Sequence, residues 1–471
     1  MANGTEDLGI QINRQCMMIE SSEQHSKHHV PQFFVIDHSI FKIGDHHLTY
    51  AKAILEQVER CGYQPILATH MQFPNRDLVP PNWHVHSVFP FTTYSFFAVD
   101  FQYFTYNSPF ILRLLGLLNR HPMDPFRPDV RCGNYLTRAC RWIYGGVAKI
   151  WVNRFVRACE DLFERHPPQP HDHIFLPTVS EFDVVGVVEL MKRHDWTRRV
   201  TWHMQFHFPF LTSPNLDREV ESKKLAAMKR HFEGLLQRVP KHQIRWYCTN
   251  CTLADQFNRT ETADFEWLPY PISVPAHRPL RQRSNSRPLR VLCALSWRRE
   301  QGADQIHNLV RQIAKGLLAT GRIELHVPVA KPMKFTSLSS AAAEAIVQLP
   351  INVPEDEYWD RLFRADIGLF LYNSGRYYAR FSGIQGEMHC AGVPIILPSG
   401  LTNTIPNQHT SSGLPSVFPG LIARNQNQFG ELLNEMVENY DVYHQAAREY
   451  ATRYSQIHCT ERAVDQLCRG Q

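Results

Sequence analysis

The sequence predicts an α/β fold built from two doubly wound domains, and three observations support this. Short continuous apolar segments, such as "FFVID" and "RVLCALS", have the composition of strands that are buried on both faces of a parallel sheet. Amphipathic segments with a helical period follow these strands in regular alternation, which is typical of βαβ units. One stretch rich in Pro, Arg and Ser, residues 276–289, interrupts the alternation and predicts a linker between the two domains.

The predicted N-terminal domain covers residues 31–275. Its first strand, "FFVID", is followed by a loop that contains Gly44 and Asp45, by a helix that Gly62 ends, and by the strand "QPILAT". A second block adds the strands "HIFLPTVS", "RRVTWHMQFHF" and "QIRWYCT". Residues 1–30 are polar and have no apolar period, so we predict a flexible tail there.

An insertion of different character is predicted at about residues 89–166, between the two blocks of the N-terminal domain. Its first part is unusually aromatic, and the span from Arg113 to Arg157 carries nine Lys or Arg residues against two Asp residues. Basic and aromatic helical segments can lie at a lipid headgroup layer, so peripheral membrane contact is one interpretation. The alternative is a solvated helical cap over the ligand cleft.

The predicted C-terminal domain covers residues 290–430. The strands "RVLCALS", "IELHVPV", "DIGLFLY" and "VPIILP" alternate with helical segments, which again describes a doubly wound sheet. Residues 431–471 are predicted to be helical and amphipathic, with no further strand. In open sheets of this kind, ligands bind at the carboxyl ends of the strands.

Composition excludes several classes of protein. The chain has 471 residues, of which 43% are hydrophobic and 20% charged, as in ordinary soluble globular proteins. Its net charge of +5 is too mild to indicate nucleic-acid binding by itself. The eleven cysteines are an odd number, and no signal peptide opens the sequence, so we expect a reduced, cytoplasmic setting. No segment predicts a transmembrane helix.

Two motifs resemble metal sites but do not predict one. Cys248 and Cys251 in "CTNC" have the spacing of half a zinc site, but no second such motif occurs. His203 and His207 in "HMQFH" are predicted to lie on a strand, where a rise of roughly 3.3 Å per residue separates them by about 13 Å. One of these two histidines is instead a candidate for the cleft at the carboxyl edge of the sheet.

"SWRREQG", residues 296–302, follows the first strand of the second domain and is a candidate phosphate-binding loop. Arg298 and Arg299 can bind phosphate oxygens through their guanidinium forks, and the neighbouring helix start adds backbone N–H donors. Arginine pairs are also common in solvated loops, and that alternative stays open.

"FSGIQGEMHCAGVP" predicts a short helix with its amino end at the cleft. Ser382 is placed to cap this helix, in a capping box with Gln385. Gly383 in the first turn lets an anion approach the free N–H groups, which the helix dipole favours. Glu387, one turn further, is expected to face the same ligand, whereas residues 388–390 are assigned to packing.

These segments together resemble the retaining nucleotide-sugar glycosyltransferases of the GT-B fold, the group 1 relatives of sucrose and glycogen synthases. The resemblance rests on "RVLCALSWRREQGADQI", "DIGLFLY" and "FSGIQGEMHCAGVPIILP", and on the opening strand, glycine loop and helix. It implies two Rossmann-like domains facing a cleft, with the C-terminal helices crossing back to the first domain.

The resemblance also implies roles for individual residues. Arg298 or Arg299 is expected to bind the donor diphosphate, together with the backbone at Ser382 and Gly383. Glu387 is expected to bond the ribose hydroxyls. The remaining implied positions are the loop beside the diphosphate and a catalytic histidine near the transferred sugar: Gly44, Asp45 and His203.

Two positions depart from the family pattern. The family's first glutamate, which contacts the sugar, falls at Ala379, and the family's lysine after the arginine is Gln301. Tyr378 and Arg380 are the candidates to replace the lost sugar contact.

The function predicted from these observations is transfer of a sugar from a nucleoside diphosphate sugar to a glycan, lipid-linked or protein acceptor. The reaction is expected to be retaining and metal-independent, and no cofactor is expected, because the nucleotide-sugar is a substrate. Two alternatives stay open: a catalytically inactive sugar-nucleotide-binding or scaffold protein, favoured by Ala379, and a GT-B nucleotide-sugar epimerase, which needs a carboxylate and histidine set in the cleft.

Overall fold

The computed structural model describes residues 30–41, 46–73, 76–90, 135–211, 216–275, 288–294, 301–399, 401 and 418–469. Met1–Val30 and Pro31–Gln471 are separate units, and the following description concerns the second. The predicted tail, most of the predicted linker and residues 91–134 of the predicted insertion therefore lie outside the described residues.

The described part of the N-terminal domain contains a seven-stranded sheet in the order β3-β2-β1-β4-β5-β6-β7. Every neighbouring pair of strands in it is parallel. The strands are β1 Gln32–Asp37, β2 Gln64–His70, β3 His84–Phe89, β4 His173–Val179, β5 Thr201–Phe206, β6 Gln243–Cys248 and β7 Phe265–Trp267. The change of direction between β1 and β4 creates the crevice in which open parallel sheets bind ligands.

Helices cover both faces of this sheet. Successive residues of a strand point to opposite sides, so a continuous apolar strand presents apolar side chains on both faces. Phe34 and Ile36 are buried in the core on one face, and Phe33 and Val35 are buried on the other. The helices are α1 His46–Arg60, α2 Tyr135–Arg165, α3 Glu181–Arg193, α4 Arg218–Leu236 and α5 Cys251–Asn258.

Helix α2 occupies the second part of the region predicted as an insertion. Its side chains Trp151, Phe155 and Leu162 are buried in the core on the α3 face of the sheet, whereas Ile150 is 53% exposed. The Phe155 ring lies only 2.5 Å from where a Cβ on Gly186 of α3 would stand, so glycine permits this close approach of the two helices. The core of the domain thus extends into the range predicted as an insertion.

The described part of the C-terminal domain contains a six-stranded sheet, again parallel, in the order β10-β9-β8-β11-β12-β13. Its strands are β8 Leu289–Cys293, β9 Ile323–Val329, β10 Ile346–Pro350, β11 Ile367–Leu369, β12 Ile395–Pro398 and β13 Gly420–Ala423. Its helices are α6 Ile306–Ile313, α7 Ser340–Glu344, α8 Glu355–Arg364, α9 Ser374–Tyr377, α10 Gly383–Cys390 and α11 Phe429–Glu438. The two parallel sheets confirm the predicted fold class.

Two helices end the chain, α12 Tyr440–Ile457 and α13 Thr460–Cys468. Ala463, Val464 and Leu467 of α13 are buried in the same cluster as Leu48 and Leu55 of α1, so the end of the chain packs on the N-terminal domain. No helix among the described residues combines the length and the apolar character needed to cross a bilayer.

Candidate functional site

The amino end of α10 begins at Gly383, after Ser382. A Cβ placed on Gly383 would meet no described atom within 4 Å, so there is space beside the first turn. Gly386 N–H donates to the Ser382 carbonyl at 3.1 Å, which begins the helical hydrogen bonding there. The N–H groups of a first helical turn have no partner within the helix, and the helix dipole favours an anion beside them.

The capping box predicted at this helix is wrong. Ser382 stands at the N-cap position, but its side chain makes no capping hydrogen bond. Burial is not the reason, because Ser180 and Asp183 are equally buried and form a capping box at the start of α3. At α10 the Ser382 side chain is simply not directed at the N–H groups of the first turn.

Glu387 lies one turn into α10, and its carboxylate accepts a hydrogen bond from the Tyr358 hydroxyl of α8. Burial raises the pKa of Glu387 to about 7, because the bond from Tyr358 offsets only part of the desolvation and Glu355 adds a negative charge nearby. The Glu387 carboxyl is therefore a group whose charge changes near neutral pH. A ligand hydroxyl that donates to it would stabilise its ionised form.

Residues 378–381, which lead into α10, contact the N-terminal domain. Ala379 is fully buried, adopts the left-handed region with φ 54°, and belongs to the hydrophobic core of that domain. Its carbonyl accepts a hydrogen bond of 2.9 Å from the Asn250 side chain, which stands between β6 and α5. The position of the family's first glutamate is thus part of the contact between the domains.

The neighbours of Ala379 extend this contact. The Arg380 guanidinium lies 4.8 Å from the centre of the Phe208 ring, beyond β5, and 5.0 Å from that of the Tyr377 ring. Phe381 stacks on Tyr270 with ring centres 4.9 Å apart.

Tyr378, also on this segment, packs against the core of the N-terminal domain. Both predicted sugar-contacting residues, Tyr378 and Arg380, therefore lie at the junction of the two domains.

At the carboxyl edge of the N-terminal sheet, Asp37 and His47 form a buried pair. Asp37 ends β1, His47 Nδ1 lies 3.0 Å from its Oδ2, and Ser39 N–H donates to its Oδ1 at 2.8 Å. Burial raises the pKa of Asp37, but the charge and hydrogen bond of His47 outweigh it and hold this pKa below its usual value. The pair joins the end of β1 to the start of α1, across the loop that contains Gly44 and Asp45.

A second buried pair lies beside the first. His38 Nε2 is 2.8 Å from Asp183 Oδ1 of α3, and the Ser180 hydroxyl donates to Asp183 Oδ2 at 2.7 Å. Burial lowers the pKa of His38, but Asp183 outweighs this effect and raises it above the usual value. Sequence reasoning missed both pairs. The only signal was the "IDHS" and "DHH" clustering of Asp and His at the strand end and the helix start.

His203 is fully buried in the first half of β5. Its Nε2 lies 2.8 Å from His173 Nδ1 at the start of β4, and its Nδ1 has no partner among the described residues. Burial lowers the pKa of His203 well below its usual value, so the ring is neutral. His207, the other candidate, follows the end of β5 and bonds the Pro177 carbonyl at 2.6 Å. The catalytic role of His203 stays a prediction, and His207 is the histidine nearer the carboxyl edge.

Several predicted positions cannot be located. Gly44, Asp45, Arg298 and Arg299 lie outside the described residues, so their roles stay predictions. Across the parts of the chain that the structure describes, no group of three His, Cys, Asp or Glu side chains could hold a metal ion.

Comparison with known proteins places the fold but not a family. No family model matches the chain, and no curated protein sequence matches it. Among solved structures, a glycotransferase of kitacinnamycin superposes with a TM-score of 0.53 at 13% identity, covering 93% of this chain and 99% of that one.

Two further structures are similar over the same length. The N-terminal domain of a Candida albicans trehalose-6-phosphate phosphatase has a TM-score of 0.56 at 10% identity, over 95% of this chain and 98% of that one. An E. coli trehalose-6-phosphate structure bound with UDP-2-fluoro glucose has a TM-score of 0.53 at 11% identity, over 93% and 99%. The chain therefore has the GT-B fold that the sequence predicted.

Proposed function

We propose that this protein is a glycosyltransferase that moves a sugar from a nucleoside diphosphate sugar to an acceptor. The observation that carries the proposal is the amino end of α10, where a Cβ on Gly383 would meet no described atom within 4 Å and the Glu387 carboxyl lies one turn away. An open helix end suits a diphosphate, and a carboxylate beside it suits a pair of ribose hydroxyls. The solved structures of the same fold include a protein bound with UDP-2-fluoro glucose, which supports this class of donor.

The proposed division of labour follows the two domains. In the C-terminal domain, Arg298 and Arg299 bind the diphosphate with the backbone at Ser382 and Gly383. Their positive charge and the helix end stabilise the charge that develops on the departing diphosphate. Glu387 holds the ribose. The acceptor binds to the N-terminal domain, and the loop of that domain with Gly44 and Asp45 lies beside the donor diphosphate.

Retention of anomeric configuration and independence from metal ions are also proposals, and both rest on the family resemblance. NMR of the freshly formed glycoside reports the anomeric configuration directly. Activity that persists in EDTA supports the metal-independent route, whereas loss of activity restored by a divalent cation contradicts it.

The donor site is tested with a panel of nucleoside diphosphate sugars, measured both for binding and for release of the nucleoside diphosphate. We expect one donor to bind and to be slowly hydrolysed or transferred. Arg298→Ala combined with Arg299→Ala should lower the affinity for this donor by at least about 100-fold, because the bidentate phosphate contacts are lost. Unchanged affinity in the folded double variant would refute the assignment, and donor binding without any product would favour the inactive binding protein.

The two buried acid–imidazole pairs favour a second candidate, a nucleotide-sugar epimerase. Asp37 with His47 and Asp183 with His38 are carboxylate and histidine sets at the carboxyl edge of the N-terminal sheet. Proton abstraction from a sugar needs groups of this kind. The same panel distinguishes the two activities, since an epimerase converts the nucleotide-sugar into an isomer and releases no nucleoside diphosphate.

His203 is retained in the proposal as a catalytic residue, and its burial makes the test specific. Exchange of His203 for Gln should lower kcat at unchanged donor KM if the residue takes part in transfer. If it only packs with His173, the exchange lowers the free energy of unfolding by about 1–2 kcal/mol and leaves kcat unchanged once it is referred to the folded fraction of the protein.

Membrane contact through residues 89–166, on the cytoplasmic face, is the last part of the proposal. It is supported by the basic and aromatic composition of this range. Sedimentation with anionic liposomes, at low and high salt, tests it. Binding that salt reverses supports the contact, and no binding at low salt excludes it.

A further inference from the structure

Residue Asn250 of the N-terminal domain connects directly to the segment that leads into the candidate donor helix. Its side-chain carbonyl accepts from Leu253 N–H at 2.9 Å and so caps α5. Its side-chain NH₂ donates to the Ala379 carbonyl at 2.9 Å. Asn250 is 2% exposed and Ala379 is fully buried, so both bonds are shielded from water. The buried side-chain amide of Asn250 thus forms hydrogen bonds with backbone groups of both domains.

The backbone that Asn250 holds is not in a relaxed conformation. Ala379 has φ 54°, a region that disfavours residues with a Cβ by roughly 1–2 kcal/mol. Such a conformation persists only where the surroundings fix it. Two of the fixing groups belong to the other domain: the Asn250 amide on the carbonyl and the hydrophobic core around the methyl group.

The strained residue lies three positions before Ser382, the N-cap residue of α10. Between them, Arg380 and Phe381 stack on Phe208 and Tyr270 of the N-terminal domain. The direction in which the chain enters α10 is therefore set partly by contacts with the N-terminal domain. Within the C-terminal domain, Arg380 N–H also donates to the Tyr377 carbonyl at 3.1 Å, and this bond spans Ala379. An unheld segment would relax out of the left-handed conformation and move the first N–H groups of the helix.

We propose that Asn250 is a positioning residue for the donor site, which acts through the Ala379 carbonyl to hold the amino end of α10 in its diphosphate-binding position. In this chain, the position of the family's sugar-contacting glutamate serves as an anchor between the domains. Donor affinity is thereby coupled to closure of the cleft. The inference rests on the proposed function, because it concerns the same donor.

The double role of Asn250 permits a sharp test, since the two bonds use different atoms of its amide. Asn250→Asp and Asn250→Ser both keep an oxygen that can cap α5. Both lose the NH₂ donor to the Ala379 carbonyl. Asn258→Asp is the matched control, because Asn258 ends the same helix and bonds the Phe265 backbone at 2.9 and 2.7 Å entirely within the N-terminal domain.

With the donor identified by the nucleotide-sugar panel, we expect Asn250→Ser and Asn250→Asp to raise its Kd and KM about tenfold while kcat stays within about twofold. Asn258→Asp should leave both constants unchanged. Mere loss of stability lowers the active fraction, and with it the apparent kcat, but leaves KM unchanged. Without ligand, the peptides covering residues 377–390 should exchange their amide hydrogens faster in the Asn250 variants only.

Three results would overturn the inference. Wild-type donor affinity in both Asn250 variants, alongside a loss in the Arg298 and Arg299 double variant, removes the role of Asn250 and leaves the proposed function standing. If Asn258→Asp changes the donor Kd and KM as much as the Asn250 variants do, the effect reflects general stability and not positioning of α10. If the wild-type protein binds no member of the panel, the proposed function and this inference fail together, whatever the exchange data show.

A second variant tests the anchor from the other side. Ala379→Glu restores the residue type of the family, but its carboxylate would enter the hydrophobic core of the N-terminal domain. We expect weaker donor binding and faster exchange in residues 377–390. Tighter donor binding in this variant would mean that the glutamate still reaches the sugar, and would contradict the anchor.

Discussion

Asp37 and Glu387 are carboxyl groups at the ligand-binding edges of the two sheets, yet their environments have opposite effects. Asp37 has His47 and a backbone N–H as partners, and its pKa lies below the usual value. Glu387 has only the neutral Tyr358 hydroxyl as its described hydrogen-bond partner, and its pKa is raised to about 7. The carboxyl group at the edge of the N-terminal sheet is therefore paired within the protein. The ionised form of Glu387, in contrast, would be stabilised by a hydrogen-bond donor on a ligand.

The largest expected effect comes from breaking the paired edge. Asp37→Ala removes the partner of His47 and of Ser39 N–H, and should lower the free energy of unfolding by about 3–5 kcal/mol. Asp37→Asn keeps the shape and part of the hydrogen bonding, so a smaller loss of about 1–2 kcal/mol is expected. Urea denaturation at pH 7.5 measures both. Equal, near-zero losses would mean that the pair of Asp37 and His47 contributes nothing to the free energy of unfolding.

Removal of the Glu387 charge, at the edge of the C-terminal sheet, should instead increase the free energy of unfolding. Because the pKa of Glu387 is raised in the folded protein, the folded state binds more protons than the unfolded state between about pH 4.5 and 7, and stability falls as the pH rises through this window. Glu387→Gln should therefore increase the free energy of unfolding at pH 8 by about 1–2 kcal/mol, less than the limit of about 3 kcal/mol set by the full pKa shift.

Below about pH 4.5 the gain in stability from Glu387→Gln should vanish, because the wild-type carboxyl is then protonated in both the folded and the unfolded protein. Denaturant curves of the wild-type protein and the variant at pH 8 and pH 4.5 check this. A gain of the same size at both pH values would show that charge is not its cause.

The smallest effect concerns the Tyr358 hydroxyl, which offsets part of the desolvation of Glu387. Tyr358→Phe removes this donor and should raise the pKa of Glu387 further, by less than about one unit. Titration of the Glu387 carboxyl, followed by infrared difference spectroscopy against Glu387→Gln, measures the shift. A lower pKa in the Phe variant would place another donor on the carboxylate.

Sequence reasoning recovered the elements better than the contacts. The strand "FFVID" and the short helix in "FSGIQGEMHCAGVP" follow from local composition, and both are found, as Gln32–Asp37 and Gly383–Cys390. Glu387 was singled out correctly as a member of that helix. The capping box failed because a pattern of residue types does not show where the Ser382 side chain points.

The remaining features depend on residues far apart in the chain. Tyr358 and Glu387 are 29 positions apart, and Asn250 and Ala379 are 129 apart. Such pairs arise from the packing of whole elements, which no local period encodes. The departure at Ala379 was visible in the sequence, but its role in joining the domains required the structure.

The most direct measurement is donor affinity as a function of pH, from 5.5 to 8.5, in the wild-type protein and in Glu387→Gln. A nucleoside diphosphate sugar is the appropriate probe, because it lacks the terminal phosphate that itself titrates near pH 6. If ionised Glu387 holds the ribose, wild-type affinity should rise about tenfold as the pH passes through about 7, and the variant should bind weakly at every pH. The same pH dependence and affinity in both proteins would contradict the assignment of Glu387 to the donor.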